Sequence, residues 1–110
     1  MGDAACVQAL PDRDGTRIIV CSGEFDIDSH GALAEAMNAA RLDGVKRTVL
    51  DMHLVSFADS SMLNTLLVAH RRQHLVLAGP FSPQIARLLT VTGTDKVLTL
   101  AADLADACTP

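Results

Sequence analysis

Apolar residues along the chain fall into short runs separated by longer stretches with helical periodicity. The runs are rich in β-branched and aliphatic residues and are bounded by polar residues, glycine or proline, which is typical of buried strands. Four runs predict strands, at residues 16–21, 47–52, 75–78 and 96–99, and the loose alternation of residues 5–10 predicts an edge strand. The run at 47–52, with Thr48, Val49 and Leu50 at its centre, is the strongest strand signal.

Between these runs, apolar residues recur at i, i+3 and i+4, the spacing of one helix face. The predicted faces are Leu33, Ala36, Met37 and Ala40; Leu63, Leu66, Leu67 and His70; and Ile85, Leu88 and Leu89. Each helix has a candidate N-cap: Asp28 or Ser29 for the first, Asp59 for the second, and Ser82 followed by Pro83 for the third. The second helix is predicted over residues 60–72, and residues 101–108 predict a fourth, small-residue helix.

The predicted order of elements is therefore ββαβαβαβα. Repeated alternation of strand and helix indicates an α/β fold, with a single mixed, mostly parallel sheet of four to five strands and about four helices. The turn chemistry of residues 11–15 joins the first two strands as a hairpin, which adds an antiparallel edge. With 110 residues, the chain is expected to form one domain over residues 1–110.

Composition narrows the classes of protein that need to be considered. The net charge of −4 and the 3% aromatic content argue against nucleic-acid binding, since neither a basic surface nor a base-stacking platform is visible. No apolar run approaches the length of a membrane span, and the first residues carry no basic region typical of a signal peptide. The three cysteines have no metal-ligand spacing, so we expect reduced, mostly buried thiols in a cytoplasmic protein.

Catalytic, metal and cofactor chemistry receive little support from the sequence. A serine hydrolase built on Ser60 would need a neighbouring imidazole, but there is no Gly-x-Ser-x-Gly motif and no histidine is placed beside Ser60. His70 and His74 are four residues apart, but no further ligand motif accompanies them. A glycine-rich phosphate loop is also missing, so we expect no metal and no cofactor.

Two segments carry a resemblance to a known family. Residues 55–63 read VSFADSSML after a hydrophobic strand, and residues 22–26 read SGEFD after another strand. Together they resemble the signature of the STAS domain, the fold of bacterial anti-sigma factor antagonists. The order of elements is similar to that of the family over nearly all of the chain. The sequence departs from the pattern at Met62, where the family has glycine.

The resemblance implies a regulatory binding protein that is a kinase substrate and no enzyme. In this family the unphosphorylated domain binds an anti-sigma factor, a serine kinase with a GHKL-type ATPase fold, and so frees the sigma factor. The kinase phosphorylates the first serine of the Asp-Ser-Ser motif, which corresponds to Ser60, and a metal-dependent serine phosphatase reverses the modification. The implied partners include neither nucleic acid nor membrane.

The residues expected to form the partner-binding surface are Asp26, Asp59, Ser60, Ser61 and Met62. Asp59 would cap the second helix and orient the Ser60 hydroxyl, and Asp26 would lie on the same rim. Ser61 would have a contact role, and Met62 would place a bulky apolar group at the rim of the interface. An alternative is a kinase-independent STAS scaffold or a ligand-sensing subunit of a signalling complex. Ser60→Ala would distinguish the two, because only a kinase-regulated antagonist would become locked in its binding form.

Overall fold

The computed structural model describes residues 3–109, which form one sheet covered by helices on both faces. The strands are β1 (Cys6–Ala9), β2 (Thr16–Phe25), β3 (Arg47–Ala58), β4 (Leu75–Ala78) and β5 (Thr99–Ala101). The helices are α1 (Gly31–Leu42), α2 (Ser60–Arg72), α3 (Pro83–Thr92) and α4 (Leu104–Cys108). A short 3₁₀ turn, Thr94–Lys96, lies between α3 and β5. The predicted order of elements is confirmed.

The strands lie side by side in chain order, β1-β2-β3-β4-β5. The β1–β2 pair is antiparallel and the other three pairs are parallel, as the sequence predicts. The hairpin closes through Asp14 and Gly15, which both have positive φ, while Arg13 and Thr16 exchange backbone hydrogen bonds of 2.9 Å. This is the two-residue turn whose twist matches that of antiparallel strands.

Alternation along the strands divides the core between the two faces of the sheet. Leu50, Leu75 and Leu77 contribute to the larger cluster, which also contains Leu33 and Met37 of α1 and the buried residues of α2 and α3. Val49 and Val76 point the other way and pack with Ala107 of α4. Three helices therefore cover one face and α4 covers the other, as side-chain alternation in a strand requires.

The two central strands are longer than the sequence predicts. β2 continues past residue 21 to Phe25, and β3 continues past residue 52 to Ala58. They pair throughout, but the register shifts between Val20 and Ser22 and again between Gly23 and Glu24. The alternation of buried and exposed residues is lost in the extension of β3, whereas in β2 it continues with Gly23 at a buried position, where an apolar side chain would have marked the strand. Gly23 has φ of +88°, and a Cβ there would lie 2.2 Å from the Ala4 backbone oxygen.

The boundaries of three other elements also differ from the prediction. The N-cap residue of α1 is His30, which makes no side-chain capping bond, so the expectation of Asp28 or Ser29 as N-cap is wrong; the Ser29 hydroxyl bonds to Asp26 instead. The last strand is Thr99–Ala101 rather than residues 96–99, because Thr94–Lys96 form the 3₁₀ turn. The fourth helix is Leu104–Cys108 rather than residues 101–108, since Ala101 belongs to β5.

The cysteines are all free, and they differ in exposure. Cys21 is buried in the core, which raises the pKa of its thiol to about 12, and Cys108 is half-buried. Cys6 is exposed on the edge strand, so the expectation of mostly buried thiols fails there. Within residues 3–109, none of the helices is long and apolar enough to cross a membrane.

Candidate functional site

The two motif segments meet at the carboxyl edge of the parallel strands. Phe25 at the end of β2 and Ala58 at the end of β3 are Cα partners in the sheet. The Asp59 N–H also donates a 3.2 Å hydrogen bond to the Phe25 carbonyl. Asp26 and Asp59 each directly follow one of these paired residues. The structure therefore brings the SGEFD and VSFADSSML segments to one edge, although 28 residues separate them in the sequence.

Asp59 is the N-cap of α2, as the sequence predicts. Its backbone is extended, with φ of −117° and ψ of −174°. Its Oδ1 accepts hydrogen bonds from Ser61 N–H at 2.9 Å and from Met62 N–H at 3.3 Å. Ser60 is consequently the first residue of the helix, and it is exposed. A hydroxyl in this position lies at the positive end of the helix dipole.

Met62 does not lie at the rim of the site, and the expectation that it would is wrong. The residue is completely buried, with 0% relative exposure, and belongs to the main core cluster. It begins the inward face of α2, which continues through Leu63 and Leu66. A methionine in place of glycine therefore adds volume to the core rather than a contact surface.

Ser61 is half-buried, and its carbonyl takes part in a link between α2 and the loop before α1. The Thr65 hydroxyl donates to the Ser61 carbonyl at 3.1 Å and lies 3.0 Å from Nδ1 of His30. The Thr65 hydroxyl therefore connects the Ser61 carbonyl with the imidazole of His30. The loop that contains Asp26 is thereby tied to the first turn of α2.

Asp26 is exposed and organises the loop that leaves β2. Its Oδ1 accepts from the Asp28 N–H and from the Ser29 hydroxyl, both at 2.9 Å, and the Asp26 N–H donates to Ser29 Oγ at 2.9 Å. The hydrogen bond from the Ser29 hydroxyl, and to a smaller extent that from the Asp28 amide, lowers the pKa of Asp26 below its ordinary value, because both bonds favour the ionised carboxylate. Asp26 is therefore a fixed negative charge near Asp59.

Sequence reasoning missed Gln84, which fixes the end of β3 from the side of α3. Its Oε1 accepts from the Ala58 N–H at 3.0 Å, and its Nε2 donates to the Ala58 carbonyl at 2.9 Å. β4 pairs with β3 only as far as Asp51, so this side chain takes the place of a neighbouring strand. Nothing in the sequence near Gln84 indicates such a contact, which depends on how α3 packs.

Apolar side chains are exposed beside the two aspartates. Ile27, directly after Asp26, is 69% exposed, and Phe57, two residues before Asp59, is 39% exposed. The edge thus combines a negative polar centre with apolar groups, a composition that suits contact with another protein. Among residues 3–109, no three histidine, cysteine or acidic side chains come together in a way that could hold a metal ion.

Comparison with known proteins places this architecture in one family. The family model described as Mlab, STAS domain matches residues 3–100. An anti-sigma factor antagonist from Mycobacterium paratuberculosis has 28% sequence identity and a TM-score of 0.81, and the match covers 94% of this chain and 91% of that one. No curated protein sequence matches the chain.

Two structures of SpoIIAA share the fold at 20% identity. The unphosphorylated form of this anti-sigma factor antagonist has a TM-score of 0.73, with 88% of this chain and 89% of that chain covered. The phosphorylated form, described as a Bacillus cell fate determinant, has a TM-score of 0.66, with 88% and 92% covered. Because the family model matches residues 3–100 of this 110-residue chain, the chain belongs to the STAS domain family.

Proposed function

We propose that this protein is an anti-sigma factor antagonist whose binding edge is switched by phosphorylation of Ser60. The unphosphorylated form binds an anti-sigma factor serine kinase of the GHKL type and releases its sigma factor. The kinase phosphorylates Ser60, and a metal-dependent serine phosphatase restores the binding form. The protein is a substrate of these enzymes rather than a catalyst, and it acts in the cytoplasm.

The observation that carries the proposal is the position of Ser60. It is exposed, it is the first residue of α2, and it directly follows a cap whose carboxylate holds the first turn in place. A kinase can reach this hydroxyl without unfolding any of the surrounding structure. The anti-sigma factor antagonist from Mycobacterium paratuberculosis, at 28% identity over 94% of this chain, supports the same function.

Physical chemistry explains why the modification would disrupt binding. A phosphate adds a charge of about −1.5 to −2. It would be introduced next to Asp59, at an edge that already carries the ionised Asp26. Near a protein surface, two unit charges about 4 Å apart interact by up to ~4 kcal/mol. A partner that closes over this edge and excludes water would therefore lose about 10²-fold or more in affinity.

The apolar groups beside Ser60 give the partner its contact area. Ile27 and Phe57 are exposed at the same edge, where burial against a partner would remove apolar surface from water. Ser61, as the expected contact residue, is half-buried beside them. Met62, being buried, acts on the partner only through the position of the first turn of α2.

The test is the intact mass of the protein after incubation with a candidate anti-sigma serine kinase and Mg-ATP. Wild type and Ser61→Ala are expected to gain one phosphate, and Ser60→Ala none. Ser61→Ala is the matched control, since it removes a neighbouring hydroxyl from the same helical turn. In a binding assay, Ser60→Ala should retain the affinity of the unphosphorylated protein after ATP is added, while wild type loses it.

Two other results would contradict the proposal in different ways. Phosphorylation of Ser60→Ala at an undiminished rate would mean that Ser60 is not the acceptor. Binding of wild type and Ser60→Ala to their partner with the same affinity, with and without ATP, would favour the kinase-independent scaffold or ligand-sensing subunit.

A further inference from the structure

A well-formed cavity lies at the other end of the sheet from Ser60. It has a volume of about 760 Å³, within the range of small-molecule sites. The hairpin turn, the beginnings of β2 and β3, the residue before β4 and the end of α4 surround it. β3 separates it from Ser60, since Arg47 begins this strand and Ala58 ends it.

Hydrogen bonds between the surrounding segments hold the walls of the cavity in place. The N–H groups of Lys46 and Arg47 both donate to the Gly15 carbonyl, at 2.8 and 3.1 Å, which fixes the hairpin against β3. Arg47 Nη1 donates to the carbonyls of Ala107 at 3.0 Å and Thr109 at 2.8 Å, which fixes the end of α4. The cavity therefore exists before any ligand binds, so little ordering would accompany binding.

The side chains around the cavity are of two kinds. Leu10, Pro11 and Ile18 supply apolar surface. Arg13, Lys46 and Arg47 supply positive charge, and within residues 3–109 none of these three forms an ion pair. Arg47 bonds only to neutral carbonyls through Nη1, so its charge is not neutralised by those contacts.

The acidic residues at the cavity offset this charge only in part. Asp12 accepts two hydrogen bonds of 2.6 and 2.9 Å from Arg17, but Arg17 also pairs with Asp43 at 2.8 Å, so the charge of Asp12 is compensated only in part. Asp14 lies exposed in the hairpin turn. Asp12 and Asp14 therefore stand against the three cations, which still leaves the side chains around the cavity with a positive balance.

From these observations we propose that the cavity binds a small organic anion that has an apolar body and one carboxylate, sulfonate or phosphate group. The apolar side chains pack against the hydrocarbon body of the ligand, and Arg13, Lys46 and Arg47 bind its anionic group. This site is separate from the edge that carries Ser60, and its existence does not depend on the switch proposed above.

The test compares three probes: sodium octanoate, 1-octanol and sodium phosphate, each titrated into ¹⁵N-labelled protein and followed by amide chemical shifts. Octanoate has both an apolar body and an anionic group, whereas octanol has only the apolar body and phosphate only the anionic group. We expect saturable shifts confined to residues around the cavity, such as Gly15, Lys46 and His74, with octanoate at least fivefold tighter than either other probe. Equal affinity for octanol, or shifts centred on Ser60, would overturn the proposal.

A pair of double variants tests the role of the cations. Arg13→Ala with Lys46→Ala should weaken octanoate binding about five- to tenfold, because two partly solvated charge contacts are lost. Arg87→Ala with Lys96→Ala is the matched control, since it removes the same residue types from exposed positions outside the cavity. Equal weakening by both double variants would show only a general effect of net charge and would overturn the assignment.

A measurement on the wild-type protein avoids any loss of stability in the variants. Cys108 lines the cavity and is half-buried, whereas Cys6 is exposed on β1 and does not line it. Octanoate should slow alkylation of Cys108 by iodoacetamide several-fold and leave the rate at Cys6 unchanged, as measured by peptide mass spectrometry. Unchanged alkylation of Cys108 at saturating octanoate would mean that the cavity is not occupied.

Discussion

At the scale of single residues, Asp59 has the most direct influence on the geometry of Ser60. Its Oδ1 satisfies two amides of the first turn of α2, and its own N–H bonds to the end of β2. An N-cap carboxylate of this kind stabilises a helix by about 1 kcal/mol. The same residue therefore begins α2 and joins it to the neighbouring strand, which fixes the position of the Ser60 backbone.

Met62 is a residue whose role can be tested through stability. Met62→Gly should lower the free energy of unfolding by about 3–5 kcal/mol, because it removes a fully buried side chain and places glycine inside a helix. Met62→Leu is the matched control and should change it by less than about 1.5 kcal/mol, since the volume is nearly kept. Urea denaturation measures both, and a small effect of Met62→Gly would contradict the packing described above.

Asp26 offers a test of the loop through its titration. Ser29→Ala should raise the pKa of Asp26 toward its ordinary value, because the strongest hydrogen bond to the carboxylate is lost. A depressed pKa in the folded state contributes stability above the pKa of the unfolded chain. This contribution is lost as pH falls through the folded value. Wild type should therefore lose stability in acid more steeply than Ser29→Ala.

Carboxyl carbon NMR measures the Asp26 pKa directly over the acidic range. Ser56→Ala is the control, since it removes the hydroxyl of a serine that lies in β3 and makes no hydrogen bond to the Asp26 carboxylate. An Asp26 pKa that is the same in wild type and Ser29→Ala would contradict the hydrogen bond to the Ser29 hydroxyl.

At the scale of elements, α3 supports the end of β3 through one side chain. Gln84→Ala should lower the free energy of unfolding by about 1–3 kcal/mol, because the N–H and carbonyl of buried Ala58 lose their partner. Gln8→Ala, on the exposed edge strand, should change it by less than about 0.5 kcal/mol. Faster hydrogen exchange at the Ala58 amide in Gln84→Ala would show that the loss of stability occurs at the end of β3. Unchanged exchange there would contradict the proposed role of Gln84.

The elements themselves could largely be predicted from the sequence, and the failures have physical causes. Capping by Asp59 and Ser82 was visible because it is local in sequence. The extension of β3 to Ala58 was not, because that segment pairs with β2 through bulges and leaves Phe57 partly exposed. The position of β5 depends on its pairing with β4, which only the folded sheet determines.

Side-chain contacts between distant segments were the least predictable part of the site. The family resemblance placed Asp26 and Asp59 on one surface, and the register of β2 and β3 explains that placement. The burial of Met62 follows from the rotation of α2 about its axis, which is set by tertiary packing. The Gln84 contact and the basic cavity both join segments far apart in the chain, so no local pattern could indicate them.

At the scale of the whole molecule, the two ends of the sheet differ in charge. Asp26 and Asp59 lie at the carboxyl edge of the parallel strands, and Arg13, Lys46 and Arg47 lie at the other end. The net charge of −4 therefore does not describe how the charges are arranged, since negative and positive side chains lie at opposite ends of the sheet. A phosphate on Ser60 would increase this asymmetry at a position that is exposed to solvent rather than buried in the core.

The fold as a whole should survive phosphorylation of Ser60. The amides at the N-terminus of α2 favour a negative charge by about 0.3–1 kcal/mol, and repulsion from Asp59 opposes it by a similar amount in solvent. The free energy of unfolding of the phosphorylated protein, measured by urea denaturation, should therefore lie within about 1 kcal/mol of the unmodified value. Asn64→Asp adds a charge farther along α2, also at an exposed position, and provides the comparison. A loss of several kcal/mol on phosphorylation alone would mean that the modification acts by disrupting the fold, and the proposed switch at the binding edge would have to be abandoned.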